Sequence, residues 1–233
     1  MYNRQQGAVY PLLCIAQIFK KKILFCRNYE AGSFSLLSQP LIHIGVSVMN
    51  QPRLRLYTID MKYVRNLAKV DDNVMSVSPQ SGKAIRPFVG IIVLVNGKKY
   101  CIPLSSPKKK FDNKKNGVDF MRITDSATKS INGTAKVIGA LNINNMLPVE
   151  DCLLTPINLK IKPTDSEKTI SYKDLMKNQL SYCQQNQDII VKRANRLYDI
   201  VVRYPESNRN LVKRCCDFKK LEGVLEKYIA KLN

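Results

Sequence analysis

Between Arg86 and Leu104 the chain leaves little choice of local fold. Arg86-Pro87-Phe88-Val89-Gly90-Ile91-Ile92-Val93-Leu94-Val95 is a continuous apolar run of strand type, Asn96-Gly97 follows, and Lys98 to Leu104 returns. Asn-Gly between two such runs is the strongest short hairpin signal, because a two-residue turn demands positive φ and these residues tolerate it. A hairpin is stable only when its apolar face is covered, so the rest of the chain must supply the cover.

It does so in two styles. Leu54 to Ile59 alternates and is rich in strand formers, and Asp60 then stands as an N-cap before a short helical pattern from Met61 to Val70. Further strands are predicted at Val118 to Thr124, Ala135 to Ile143 and Cys152 to Ile161, separated by Gly, Asn and Pro breakers. After Pro163 the character changes. Ser171 to Val202 contains no Gly or Pro and spaces Leu175, Met176, Leu180, Ile189, Ile190 and Leu197 as a helix does, which predicts one long helix or two in line. A last helix is predicted from about Phe218 to Leu232. The class is α+β: a mainly antiparallel sheet or small barrel with helices gathered at the C-terminal end, and no internal repeat.

Residues 1 to 48 read differently. An apolar stretch at 11 to 19 precedes Lys20-Lys21-Lys22, the reverse of a signal peptide's order, and is too short to span a membrane. Met49 leads directly into the first strand, so 1 to 48 is read as an N-terminal extension, disordered or from an over-long reading frame, and 49 to 233 as the functional domain. Across the whole chain 38 Lys and Arg stand against 18 Asp and Glu, a net +20. Such an excess favours a polyanion, nucleic acid first, over an acidic small molecule. No run or lipidation motif suggests a membrane. The seven cysteines are scattered without a Cys-x-x-Cys pair, which suggests neither zinc nor disulfides and fits a reducing cytoplasm. His43 is the only histidine and lies in the extension, so histidine acid-base chemistry and histidine-ligated metal are not expected.

The chemistry-bearing residues follow the second hairpin strand: Ser105-Ser106-Pro107-Lys108-Lys109-Lys110-Phe111-Asp112-Asn113-Lys114-Lys115-Asn116-Gly117. Hydroxyls and backbone amides can orient a phosphate while an ammonium neutralises its developing charge, and further lysines can hold neighbouring phosphates. The same composition also suits a solvated loop whose lysines guard a sheet edge. Lys108 has two possible roles: purely electrostatic, or a proton carrier if Lys109, Lys110 and Arg86 crowd it. Tyr63 either points its phenol to the site or stacks on a base, or else packs on the sheet. Lys83 and Arg86 flank the first hairpin strand within reach of phosphate, or are ordinary exposed cations. Cys101 lacks a histidine partner and reads as a small core residue; Asp71-Asp72 reads as loop solvation or a local ion pair.

Taken together, Leu56-Tyr57-Thr58-Ile59, Lys62-Tyr63-Val64, Asp71-Asp72-Asn73-Val74, Arg86-Pro87-Phe88-Val89-Gly90-Ile91, Lys99-Tyr100 and Pro103-Leu104-Ser105-Ser106-Pro107-Lys108-Lys109 resemble, in order and spacing, the ToxN/AbiQ family of type III toxins. Gly139-Ala140-Leu141-Asn142-Ile143, Met146-Leu147-Pro148-Val149, Asn210-Leu211-Val212 and Cys216-Asp217-Phe218 extend the likeness to the end of the chain. The resemblance implies a Kid/MazF-like antiparallel core and a metal-independent, sequence-selective endoribonuclease without cofactor, leaving 2′,3′-cyclic phosphate and 5′-hydroxyl ends. Its partners would be cellular or phage RNA and a repetitive antitoxin RNA pseudoknot that it cuts from a precursor and that then blocks it, in an RNA-bridged ring or heterotetramer serving phage abortive infection or plasmid maintenance. It also implies that Ser106 is the central catalytic hydroxyl, with Ser105 and Lys108 beside it and Tyr63 completing the site. The basic position before Phe-Val-Gly-Ile falls on Arg86 or on Lys83. Lys109, Lys110, Lys114 and Lys115, with Lys83, would then bind RNA.

Overall fold

The computed structural model describes residues 51–75, 88–129, 133 and 135–232. The extension expected over 1 to 48 (His43 included), Lys83 and Arg86 therefore lie outside the described residues. In chain order the elements are β1 (Leu56–Ile59), α1 (Met61–Ala68), β2 (Val89–Val95), β3 (Lys98–Ser105), β4 (Phe120–Lys129), β5 (Ala135–Asn142), β6 (Leu147–Pro148), β7 (Leu154–Pro156), α2 (Glu167–Gln185), α3 (Gln187–Arg203), α4 (Arg209–Val212) and α5 (Phe218–Ile229).

The hairpin forms where the sequence places it. Asn96 and Gly97 both adopt positive φ, 49° and 78°, and the register runs from Val95 opposite Lys98 to Gly90 opposite Pro103. The sheet order is β4-β5-β3-β2-β1-β7, with β6 also on β3, and each of these pairings is antiparallel. The far edge of β3 is divided: Tyr100 and Cys101 pair with β6, Leu104 and Ser105 with β5. With β4 and β7 left as its two ends the sheet is open, so the small-barrel alternative falls away. A strand predicted over Cys152 to Ile161 shrinks to Leu154–Pro156, preceded by a 3-10 turn at Asp151–Leu153. Pro156 has no N–H to extend a ladder.

The predicted long helix is two. Asn186 interrupts it at φ −109°, ψ 19°, and its side chain donates to the Tyr182 carbonyl at 2.9 Å, closing α2 before α3 begins. Asparagine competes with helical hydrogen bonding in this way. Asp60 caps α1, accepting from Lys62 N and Tyr63 N, and Asp217 caps α5 through Lys220 N. The main core lies between sheet and helices: Ile91, Val93, Val95, Tyr100 and Ile102 meet Ile190, Ala194, Leu197, Phe218 and Leu221, all fully buried. Each of the Ile, Val, Leu and Phe side chains among them contributes about 1.5–3 kcal/mol by leaving water.

One carboxylate is buried among these groups. Glu222 of α5, 3 % exposed, accepts hydrogen bonds from Tyr100 Oη at 2.7 Å and Tyr198 Oη at 2.8 Å on one oxygen, and from Lys98 Nζ at 2.8 Å and Lys219 Nζ at 3.1 Å on the other. Burial works to raise its pKa, but the four donors together outweigh it and hold the carboxyl at about 2. The network fastens the start of β3 to α3 and α5.

Candidate functional site

β3 ends at Ser105, and the chain then leaves the sheet as Ser106, Pro107, Lys108, Lys109 and Lys110, all exposed. Side chains alternate between faces along a strand. Ser105 therefore shares a face with Ala140, its register partner on β5, and Arg122, the partner of Ala140 on β4, makes a third member of that row. The opposite face of β4 and β5, with Met121, Ile123, Ile138 and Leu141, belongs to the main core under α2.

The serine-bearing face has its own small core. Phe111, 4 % exposed, packs on Phe120 with ring centroids 5.4 Å apart, closed by Ala140 and Val137. Phe111 is the lone aromatic in a polar run, and its burial folds the loop back onto the sheet. A 3-10 turn at Lys109–Phe111 makes this possible, with Phe111 N–H donating to the Lys108 carbonyl at 2.8 Å. Three ammonium groups ring the two aromatics: Lys108 Nζ and Lys110 Nζ lie 5.9 and 5.7 Å from the Phe111 centroid, and Lys114 Nζ lies 3.8 Å from that of Phe120. The negative ring faces partly offset the cost of gathering like charges. Among the described residues none of Lys108, Lys109, Lys110, Lys114 and Lys115 is in an ion pair; nine such contacts form elsewhere.

The outgoing half of the loop is tied to its surroundings. Arg122 donates from Nη1 to the Asp112 carbonyl at 2.6 Å and from its backbone to Asn116 Oδ1 at 2.8 Å. Arg193 of α3 donates to the Gly117 carbonyl at 3.0 Å, and Arg214 pairs with Asp119 at 2.7 Å. What results is a fastened loop with a half-buried hydroxyl at its root, an exposed one next to it, and further along the same loop lysines that, among the described residues, pair with no carboxylate. That arrangement can receive an anionic, extended ligand and stabilise charge on a phosphoryl oxygen.

Around the Phe111–Phe120 pair, on the sheet face that Ser105 shares, the structure gathers Lys108, Lys110 and Lys114, while Ser106, Lys109 and Lys115 are exposed elsewhere in the same loop. It does not bring Tyr63 to them. Tyr63 is 0 % exposed; its hydroxyl donates to the Pro148 carbonyl at 2.7 Å and its ring meets Tyr228 at 5.2 Å. Pro148 pairs with Tyr100, five residues from Ser105 and therefore roughly 17 Å along β3. Burial first, then Glu150 and Tyr228, push the phenol's pKa far above its usual value. The expectation of a phenol at the site or stacked on a base is corrected: α1 carries Tyr63 into the core. Cys101 is a buried core thiol whose pKa burial raises. Asp71 accepts from the backbone N–H of Asn73 and of Asp217, which is loop bracing.

A cleft of about 610 Å³ opens at the other end of β3, lined by Lys98, Lys99, Glu150, Asp151, Glu226 and Ile229 among others. Its carboxylates make it a poor place for a phosphate chain. Among the described residues no three His, Cys, Asp or Glu side chains gather as for a metal, and no helix is long and apolar enough to cross a membrane. Sequence reasoning missed Phe111, Arg122 and Asn142, whose side-chain Nδ2 donates to Ser105 Oγ at 2.7 Å. Only Phe111 gave a signal, as an isolated apolar residue in a lysine loop.

The chain is similar to endoribonuclease ToxN of Bacillus thuringiensis subsp. kurstaki, 28% identical over 185 residues that cover 77% of this chain and 86% of the relative. A solved structure of AbiQ, a lactococcal anti-phage endoribonuclease of the type III toxin-antitoxin class, superposes with a TM-score of 0.61 at 26% identity, covering 77% of this chain and 99% of that one. A bacterial type III toxin selectively inhibited by a non-coding RNA pseudoknot superposes at 0.59 and 25% identity, covering 76% and 98%. The family model for toxin ToxN of type III toxin-antitoxin systems matches residues 55–226, a span that includes the whole serine-lysine loop, and the chain belongs to that family.

Proposed function

We propose that this protein is a sequence-selective endoribonuclease toxin whose cleavage centre is the Ser105-Ser106-Pro107-Lys108 loop. The observation that carries this reading is a strand end with two hydroxyls that leads directly into a loop of five lysines, none of which pairs with a carboxylate among the described residues. The endoribonuclease names of the Bacillus and lactococcal relatives support it. In the reaction the RNA's 2′-oxygen forms a bond to phosphorus as the bond to the 5′-oxygen breaks. The 2′-proton leaves to a base or solvent, and the departing 5′-oxygen gains one, giving 2′,3′-cyclic phosphate and 5′-hydroxyl ends. Ser106, exposed and next to Ser105, orients the scissile phosphate; Lys108 offsets charge on its oxygens or on the leaving group. Lys109, Lys110, Lys114 and Lys115 hold the flanking phosphates, with Lys83 and Arg86 as further cations for the same strand. The chemistry proceeds without metal, in the cytoplasm. The toxin cuts and is then blocked by a repetitive RNA pseudoknot, bridging toxin and RNA into a ring or heterotetramer, in defence against phage or in plasmid maintenance.

The test is induction of the full chain, wild type and Ser106→Ala, in a bacterium with mapping of new RNA 5′ ends, alongside cleavage in EDTA. Wild type should arrest growth and leave 5′-hydroxyl ends at a short shared motif. Ser106→Ala should lose about 10²–10³ in rate while binding the antitoxin RNA within a few-fold. Wild-type protein that binds RNA but never cuts it, in EDTA or magnesium, would make the chain an RNA-binding module instead. Native mass spectrometry that finds only a one-to-one complex would remove the ring or heterotetramer.

A further inference from the structure

β5 carries a block, Gly139-Ala140-Leu141-Asn142, that faces the serine end of β3 and has no part in the cleavage chemistry above. Ala140 lies opposite Ser105 and Leu141 opposite Leu104, so Asn142 stands two residues from the partner of Ser105 and on the same face. Its side-chain Nδ2 donates to Ser105 Oγ at 2.7 Å. The strand that presents it is held from both sides. Gln179 of α2, 4 % exposed, donates to the Ile138 carbonyl at 2.8 Å. A Cβ added at Gly139 would come within 2.3 Å of Gln179 Nε2 and 2.7 Å of the Ser105 carbonyl oxygen, so only glycine lets helix, β5 and β3 approach this closely.

A serine hydroxyl has one proton to give and two lone pairs to receive. With an amide N–H directed into one lone pair, the Ser105 proton has to point away from Asn142. We infer that Asn142 is a positioning residue for RNA cleavage, one that occupies an acceptor site of Ser105 and thereby turns the hydroxyl into a donor aimed at the substrate phosphate. The inference rests on the reading of the Ser105-Ser106 loop as the cleavage centre. Asn142 itself touches no substrate; it acts through Ser105.

The experiment is steady-state cleavage by the full-length protein of a short RNA carrying a site that wild type cuts in cells. Asn142→Ala, Ser105→Ala and the double variant are compared, with thermal melting of each. Asn142→Ala should lower kcat about tenfold with KM unchanged and cost nothing further in the Ser105→Ala background. Asn142→Asp should give activity that rises relative to wild type at the same pH as pH is lowered from 6 to 4. A protonated acid donates to Ser105 as the amide does, whereas a carboxylate, with a usual pKa of about 3.9, captures the serine proton. Undiminished kcat in Asn142→Ala, equal losses in both backgrounds, or an Asn142→Asp profile parallel to wild type would overturn the inference and leave the loop reading intact. Ser105→Ala cutting as fast as wild type would overturn the loop reading for Ser105, and the inference with it.

Discussion

The two ends of β3 both carry lysines and treat them in opposite ways. At the start, Lys98 reaches Glu222 at 2.8 Å and Glu226 at 3.6 Å, and Lys99 pairs with Asp151. At the finish, Lys108, Lys110 and Lys114 stand over Phe111 and Phe120, and among the described residues the loop's lysines meet no carboxylate. The first set completes the fold; the second, on the proposed reading, is completed by the ligand. A net charge of +20 is therefore not one property spread over a surface. What distinguishes a binding cation from a structural one is whether the chain supplies its counter-ion.

Removing the counter-ion at the structural end should have the largest effect. Glu222→Ala leaves two tyrosine hydroxyls and two ammoniums without their acceptor and should cost about 3–5 kcal/mol in urea unfolding; a loss under 1 kcal/mol would mean that the network does not hold β3. Acid should do the same reversibly. Folding lowers the Glu222 pKa to about 2, so its contribution is complete above its unfolded value of about 4.3 and fades as pH falls toward 2, on the order of 3 kcal/mol in all. The difference in unfolding midpoint between wild type and Glu222→Gln should shrink across that window, and a difference independent of pH would break the assignment. At the ligand end the expected change is in binding. Joint replacement of Lys108, Lys110 and Lys114 by alanine should reduce the slope of log affinity against log salt by about 2, at roughly 0.7 per single-strand phosphate contact, with melting nearly unchanged. Lys99→Ala is the control: its partner Asp151 is mostly exposed, so stability should move by less than about 1 kcal/mol. An RNA salt slope that moved with it would blur the distinction between the ends.

Much of the fold was legible because its signals are local. The Asn96-Gly97 turn, the Asp60 cap and the periodicity before Pro205 each act within a few residues. The open sheet was not legible, since closure depends on whether distant edges meet, and the weak β7 is settled by Pro156 and the turn before it. The serines and lysines of the proposed site stand out in the sequence because they are contiguous. Asn142 lies 37 residues from Ser105, and only the β3–β5 register brings the two together. Tyr63 misled for the converse reason: an aromatic at the start of a helix does not announce which way it faces, and here Pro148 takes its hydroxyl.

The strand that ends in the serines also runs through the middle of the sheet, flanked by β2 on one side and by β6 and β5 on the other. Its amides at Cys101, Ile102 and Leu104 should therefore exchange with solvent only when the whole domain opens, as the slowest class of protons in the protein. A centre rooted in such a strand has no soft hinge beneath it and cannot be disarmed by a small local rearrangement. On the proposed reading of the loop as the cleavage centre, restraint then comes from a ligand that covers the loop rather than deforms it, and release should be as prompt as that ligand's departure.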